Sequence, residues 1–399
     1  MKQRSSPSPA EMAHKAVTDP LHCAIVGCGK VALKHLKAIK YHRTDLFLSG
    51  LVDTHPDAAR TLLRQAGYSA TDAACIPVYE TMDELFGREK PDLVAITTPS
   101  GSHFGLAKAA LQAGAHVFVE KPLTLSLPEA NEMIALAADK ALQITVGHIY
   151  RFFPMVRAIE ADLRKGRFGR ILYGDVKVRW GHNQAYYDAA AWRGTWAQDG
   201  GALMNQSIHA LDLMTWLLGG SVVEVSGWID RQMHHIEAED LGLAMLKLDN
   251  GAYCLLEGTT NTDPRHPEAS FIIECSAGEI RAGLHDGKPV IRISDRRGRR
   301  LTGRYLRQFL KQTWQQGGIN AFLQLKNPHS AIYNDMVRAI RDKRTPLADG
   351  LSGRQAVAAV LAIYASASLK RTVRLPLDDF SLNEMEGFFP DIVSRASQD

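Results

Sequence analysis

The chain has 399 residues, 45% of them hydrophobic and 23% charged, with a formal net charge of +4. That composition is globular and long enough for two cores, and so small a net charge gives no case for nucleic acid. No apolar run reaches 18 residues, so no transmembrane helix and no membrane partner are expected.

The start, MKQRSSPSPAEMAHKAV, has no apolar segment that would make it a secretory signal and reads as a disordered tail over residues 1–20. Five cysteines (Cys23, Cys28, Cys75, Cys254 and Cys275) include no CxxC pair and mostly sit in apolar runs, the pattern of reduced thiols in a cytoplasmic protein. HCAIV (22–26) predicts a buried strand and LKHLKAIKYH (33–42) a helix, with GCGKVA (Gly27–Ala32) between them. This is a G-x-G-x-x-A phosphate turn: Gly27 permits the tight turn, Gly29 lets backbone approach a pyrophosphate, and Lys30 and Val31 open the helix that faces it. The next strand, LFLSGLVD, ends in Asp53. A carboxylate there accepts the adenosine ribose hydroxyls and repels a 2′-phosphate, while Thr54 and His55 offer no Arg clamp, so NAD is the expected cofactor. The other reading of Asp53 is a helix cap.

Helices near 56–67, 103–113 and 126–140 alternate with strands near 92–98, 116–119 and 142–147. That alternation predicts an α/β Rossmann domain, a doubly wound parallel sheet, over 21–148. Ligands lie beyond the carboxyl ends of such strands, which draws attention to TTPSGSH (97–103), with Thr98, Pro99, Ser100 and His103, and to EKP, with Glu120 and Lys121. A lysine at that edge is either a solvated charge or a cation that stabilises a developing alkoxide; Pro122 fixes the turn that aims it. Beyond residue 148 a helix near 154–166 precedes strand-rich sequence, with turn signals at DNG (249–251) and SAGE (276–279), and helices resume near 330–342 and 353–369. An α+β domain on an open, largely antiparallel sheet is expected over 149–377, and a C-terminal tail over 378–399.

Inside the second domain, GGALMNQSIH (200–209) begins a helix in which Asn205, His209 and Asp212 recur at i, i+4 and i+7. Such a histidine is either satisfied by a neighbour or a proton acceptor. Asp212 either anchors its ring or holds the helix to its surroundings. RRGRRLTGRYLRQFLK (296–311) reads as a solvated loop or helix face rather than an anion site, and HHIEAED (234–240) as polar loop chemistry without metal-ligand spacing, so no metal is expected.

GCGKVA, Asp53, EKP and a helical N-x-x-x-H on one chain resemble the glucose–fructose oxidoreductase/inositol dehydrogenase/MocA family over roughly residues 21–377. The resemblance implies that Lys121 and His209 are the reacting pair. That family usually carries Asp four residues before the histidine, where this chain has Asn205. HNQAYYDAAAWRGTWAQDGGALMNQSIHALDL (182–213) is similar to the branch that oxidises C3 of UDP-N-acetylglucosaminuronic acid, where Asn also precedes the histidine. What this implies is a set of sugar contacts (Lys121, Tyr150, Arg151, Tyr186, Trp192, Arg193, Asn205, Gln206 and His209), with Arg193 facing the uronate carboxylate. It also implies an NAD-dependent enzyme of surface-polysaccharide sugar-nucleotide biosynthesis, paired as a homodimer or homotetramer. The alternatives are a dehydrogenase or ketoreductase of another pyranoside or an inositol, and a non-catalytic NAD(H)-binding sensor.

Overall fold

The computed structural model describes residues 19–377 and 380–390. Most of the tail expected over 1–20, with residues 378–379 and 391–399 of the C-terminal one, lies outside the described residues.

Six short strands form the first sheet: β1 (Leu21–Val26), β2 (Leu46–Val52), β3 (Val78–Tyr79), β4 (Leu93–Ile96), β5 (His116–Val119) and β6 (Ile144–Val146). They pair in parallel in the order β3-β2-β1-β4-β5-β6. Their unbroken apolar runs follow from burial on both faces, as in the wholly buried LVAI of β4. The strand order reverses between β1 and β4, which opens a crevice beyond their carboxyl ends. The helices Ala70–Cys75 and Met82–Arg88 and the two-residue β3 are absent from the expectations because they are too short to show a period. Single caps start the helices instead: Ser69 accepts from the Asp72 N–H (3.0 Å) and Thr81 from the Glu84 N–H (3.2 Å).

The second sheet holds β7 (Ile171–Arg179), β8 (Val222–Asp230), β9 (Leu241–Leu248), β10 (Tyr253–Thr259), β11 (Glu268–Cys275), β12 (Gly278–His285), β13 (Lys288–Asp295) and β14 (Val373–Arg374). Its order is β13-β12-β11-β7-β10-β9-β8-β14, antiparallel except where β7 meets β10. Strand alternation turns Val176, Val178, Leu246, Leu248, Cys254 and Leu256 inward, beneath the helices Ile208–Leu218 and Gly350–Leu369. The latter helix also packs on β6 and on the helix Leu127–Asp139, and this burial on nearly every side accounts for its Ala- and Ser-rich sequence. The chain then crosses back: Ile332, Tyr333, Met336 and Val337 of the helix His329–Arg341 join Cys23, Ile25 and Leu36 in one core. Part of the expected C-terminal tail also folds onto the body, since Leu382 and Met385 are fully buried.

Candidate functional site

At the carboxyl edge of the first sheet lies a cleft of about 580 Å³ lined by Gly27, Gly29, Asp53, Thr98, Pro99 and Ser102 among others, and among the described residues no Arg or Lys lines it. Gly27 has φ +89°, and a Cβ there would stand 2.6 Å from the Thr98 methyl, so the turn admits only glycine. A Cβ placed on Gly29 would meet nothing within 4 Å, which leaves backbone open to a diphosphate. Lys30 and Val31 continue the turn, with Lys30 exposed to solvent. Asp53 does not cap the helix Pro56–Gln65; one oxygen accepts the Cys28 N–H (2.7 Å) and the other the His55 N–H (2.8 Å), and each keeps a lone pair for a ribose hydroxyl. The residues present therefore fit an unphosphorylated adenosine ribose and a diphosphate. Ser100 sits on a short 3-10 turn above this cleft, and from that turn Gly101 N–H reaches across to the Gln198 carbonyl (3.1 Å), linking the two halves.

Lys121 enters beside this edge through a cis peptide to Pro122. Its Nζ donates to the Asn205 side-chain oxygen (3.0 Å) and to the Asn205 carbonyl, and the Asn205 amide donates in turn to buried Asp199. Burial lowers the Lys121 pKa, against the pull of Asp199 and Glu120, while burial raises that of Asp199. His209 lies close by. Its pKa is held well below the ordinary histidine value, first by burial and then by the Lys121 charge, so its ring is neutral, with Nδ1 buried and unpartnered. Tyr150 lines the same spot, ring centroids 5.4 Å apart. Asn205 and His209 do not share one regular helix, because Ala202–Ser207 is a π-turn that passes into the α-helix only at Ile208. Such an insertion re-aims side chains at functional sites.

The loop after β7 supplies a second wall. Tyr186 stacks on His182 (3.7 Å), the Arg193 guanidinium lies 4.3 Å above the Tyr186 ring and 5.3 Å from that of Trp192, and Gln206 contacts His182 (3.2 Å). Arg193 donates to the Tyr186 carbonyl, but its Nε is buried with no partner among the described residues.

Three expected contacts are turned away from the cleft. Glu120 is buried, one oxygen accepting both His35 and His329 (each 2.8 Å), which holds its pKa well down despite burial. His103 is wedged between the carbonyls of Pro122 (2.8 Å) and Thr98 (3.0 Å), tying the two strand-end loops together. Arg151 is consumed in a buried two-bond pair with Asp212 (2.8 and 2.6 Å) and a bond to the Leu347 carbonyl. The pair holds this guanidinium on Asp212, which thereby anchors its helix rather than the His209 ring.

Against known proteins, residues 21–148 match the oxidoreductase family NAD-binding Rossmann fold and residues 156–281 the GFO/IDH/MocA C-terminal domain, together more than half of the chain. The chain belongs to the GFO/IDH/MocA family. Its cofactor is accordingly NAD, which the lining of the cleft fits. Over 90% of this chain it is 29% identical to the WlbA dehydrogenase of Bordetella pertussis, crystallised with NADH and UDP-GlcNAcA (TM-score 0.75, all of that chain). It has the same identity and coverage with the Chromobacterium violaceum WlbA dehydrogenase in complex with the same two molecules (TM-score 0.76, 97% of that chain). A UDP-N-acetylglucosamine 3-dehydrogenase of Acidithiobacillus ferrooxidans is 27% identical over 231 residues, 58% of this chain and 64% of that one. The chain spans 66% and 62% of two further curated relatives, both uncharacterised oxidoreductases.

This GFO/IDH/MocA chain also places at the site two residues that the sequence patterns do not single out. Asp199 lies in DGGALMNQ, directly before the two glycines, and that position is its only signal. His148 follows β6; it is buried, both ring nitrogens lack a hydrogen-bond partner among the described residues, and its ring lies 6.1 Å from that of His209. Its location at a strand's carboxyl end is what could have found it.

Proposed function

We propose that this chain is an NAD-dependent dehydrogenase oxidising a ring hydroxyl, at C3, of a UDP-N-acetylhexosaminuronate in the making of sugar nucleotides for surface polysaccharide. One observation carries the reading: Lys121, fixed on Asn205, stands beside a neutral His209 at the edge of an NAD cleft. An ammonium has three donors, and Asn205 takes two, leaving one for a sugar oxygen. Lys121 thus orients the hydroxyl and stabilises the alkoxide as it forms. His209 faces the same oxygen and accepts its proton. NAD⁺, when bound, supplies the hydride acceptor. Arg193 has an unpartnered buried Nε and is clamped by Tyr186 and Trp192, features that suit it to the uronate carboxylate. Four buried free cysteines support a reducing, cytoplasmic setting. The outer face of the second sheet supports pairing with further copies.

Lys121→Met and His209→Asn should each cut turnover by about 10²-fold or more while NADH binding persists. The assay supplies UDP-N-acetylglucosaminuronate with 2-oxoglutarate to recycle NADH. Turnover near wild type in either variant rejects the residue roles. Activity on simple glycosides or inositols alone rejects the substrate.

A further inference from the structure

The helix Thr302–Gln324 does not line the cleft and touches the second sheet's core only near its start, through Leu301 and Tyr305, and residues 296–326 contain eight Lys or Arg and no Asp or Glu. Tyr305 and Thr313 turn inward, with Tyr305 donating to Asp162 of the helix Pro154–Arg164 (2.6 Å). At about 100° per residue, Leu306, Leu310 and Trp314 fall in the adjoining sector of the helix, and Arg304, Arg307 and Lys311 in the one after that. The apolar sector is not covered: Leu306 is 40%, Leu310 52% and Trp314 62% exposed. The rings of Phe309 and Phe322 meet at 6.3 Å, whereas a straight helix would hold them about 20 Å apart. The helix therefore bends sharply, and Gly318, with φ +56°, marks the break. The returning limb adds exposed Ile319 and Leu323 to the same arm. Of the arm's basic side chains, among the described residues only Arg299 is in an ion pair, with Asp295 at 2.8 Å.

We propose that this arm, residues 296–326, docks the protein on an anionic lipid bilayer surface, with Leu306, Leu310 and Trp314 entering the headgroup layer and the neighbouring Arg and Lys side chains meeting lipid phosphates. An apolar stripe bearing Trp and edged by cations, on a helix too polar to cross a bilayer, is the pattern of a helix lying in the interface. Charge decides the occupant. Each cation of such a cluster adds to its attraction for an anionic leaflet, whereas two such arms facing each other repel. This revises the expectation of no membrane contact, which rested on the absence of a spanning segment, and it holds whatever sugar the cleft takes.

The test is co-sedimentation of the full-length protein with vesicles of phosphatidylcholine alone and of phosphatidylcholine with phosphatidylglycerol in equal parts. Wild type should pellet with the anionic vesicles only and be released by salt. Leu310→Ser/Trp314→Ser and Arg304→Gln/Arg307→Gln/Lys311→Gln should each lower partitioning about tenfold or more. Thermal unfolding and NADH binding should stay as in wild type, showing that both variants fold. No excess of wild type in the anionic pellet overturns the proposal, as does equal pelleting of the variants. So does a lower mass of Leu310→Ser/Trp314→Ser by light scattering without vesicle binding, which would make a second copy the occupant.

Discussion

The Lys121 charge helps to hold the His209 ring neutral. Burial is the main reason the His209 ring is neutral, and the Lys121 ammonium is the second. Removing that ammonium leaves burial intact but takes away a repelling charge, so the imidazole binds its proton more readily. The His209 pKa, followed by NMR titration, should therefore rise in Lys121→Met while remaining under the ordinary 6.5. A value unmoved by the substitution would separate the two residues electrostatically. In the wild type, the pH profile of kcat/KM should keep its acid limb below 6.5, where His209 takes up its proton, and its basic limb below 10.5, where Lys121 loses its own. Glycine turn, strand-end lysine and helical histidine were all legible as single residues, because local chemistry made each unusual. The errors fell on residues whose partners are remote in sequence: Arg151 answers to Asp212, 61 residues on, and Glu120 to His329, 209 residues on.

At the scale of the element, the π-turn Ala202–Ser207 that carries Asn205 rests on Glu239. This carboxyl accepts the Leu203 N–H (2.8 Å) and the Tyr364 hydroxyl (2.9 Å), and burial pushes its pKa up to about 8. The folded protein thus keeps a proton that an unfolded carboxyl gives up near its ordinary 4.5. Between those values the native state binds more protons, so this contribution is complete below about pH 4 and falls as pH rises through 8. The slope is at most about 1.4 kcal/mol per pH unit. Glu239→Gln keeps the acceptor oxygen and removes the titration. Its melting temperature should decline less than that of wild type from about pH 5 to about pH 9, and should exceed it at the upper end. Parallel melting curves would place the proton elsewhere. HHIEAED, read as polar loop, hides this residue because its partners, Leu203 and Tyr364, are remote in sequence; His234, Ile236, Ala238 and Asp240 of the same segment are buried with it.

Over the whole molecule, register places Trp228 opposite Leu243, and Met245 opposite Leu255, on the outer face of the second sheet. Tyr173 and Tyr253 pair on the same face, and Trp228 is 68% exposed. An apolar area of this kind on an open sheet supports the proposed pairing of copies. Trp228→Glu/Met245→Glu should lower the mass measured by light scattering with NADH binding retained; an unchanged mass would remove this face from the proposed pairing. The face alternates strictly along each strand, so its apolar content could be read from sequence once the strands were known. That it stays open could not, because only the fold shows that the helices Ile208–Leu218 and Gly350–Leu369 cover the other side.

By itself the sequence determined the alternation of longer strands and helices, the nucleotide turn and the family, and it singled out Lys121 and His209 as the proposed reacting pair, since each depends on residues near one another in the chain. Period, turn residues and strand-end position are local quantities. Tertiary structure alone decided which polar groups meet: Lys121 with Asn205 and Asp199, Glu120 with two histidines, Arg151 with Asp212. It also decided that the helix Thr302–Gln324 stands out from the body with an apolar sector uncovered. Burying a charge is tolerated only beside its partner, and which partner arrives is settled when the chain crosses back on itself rather than along it.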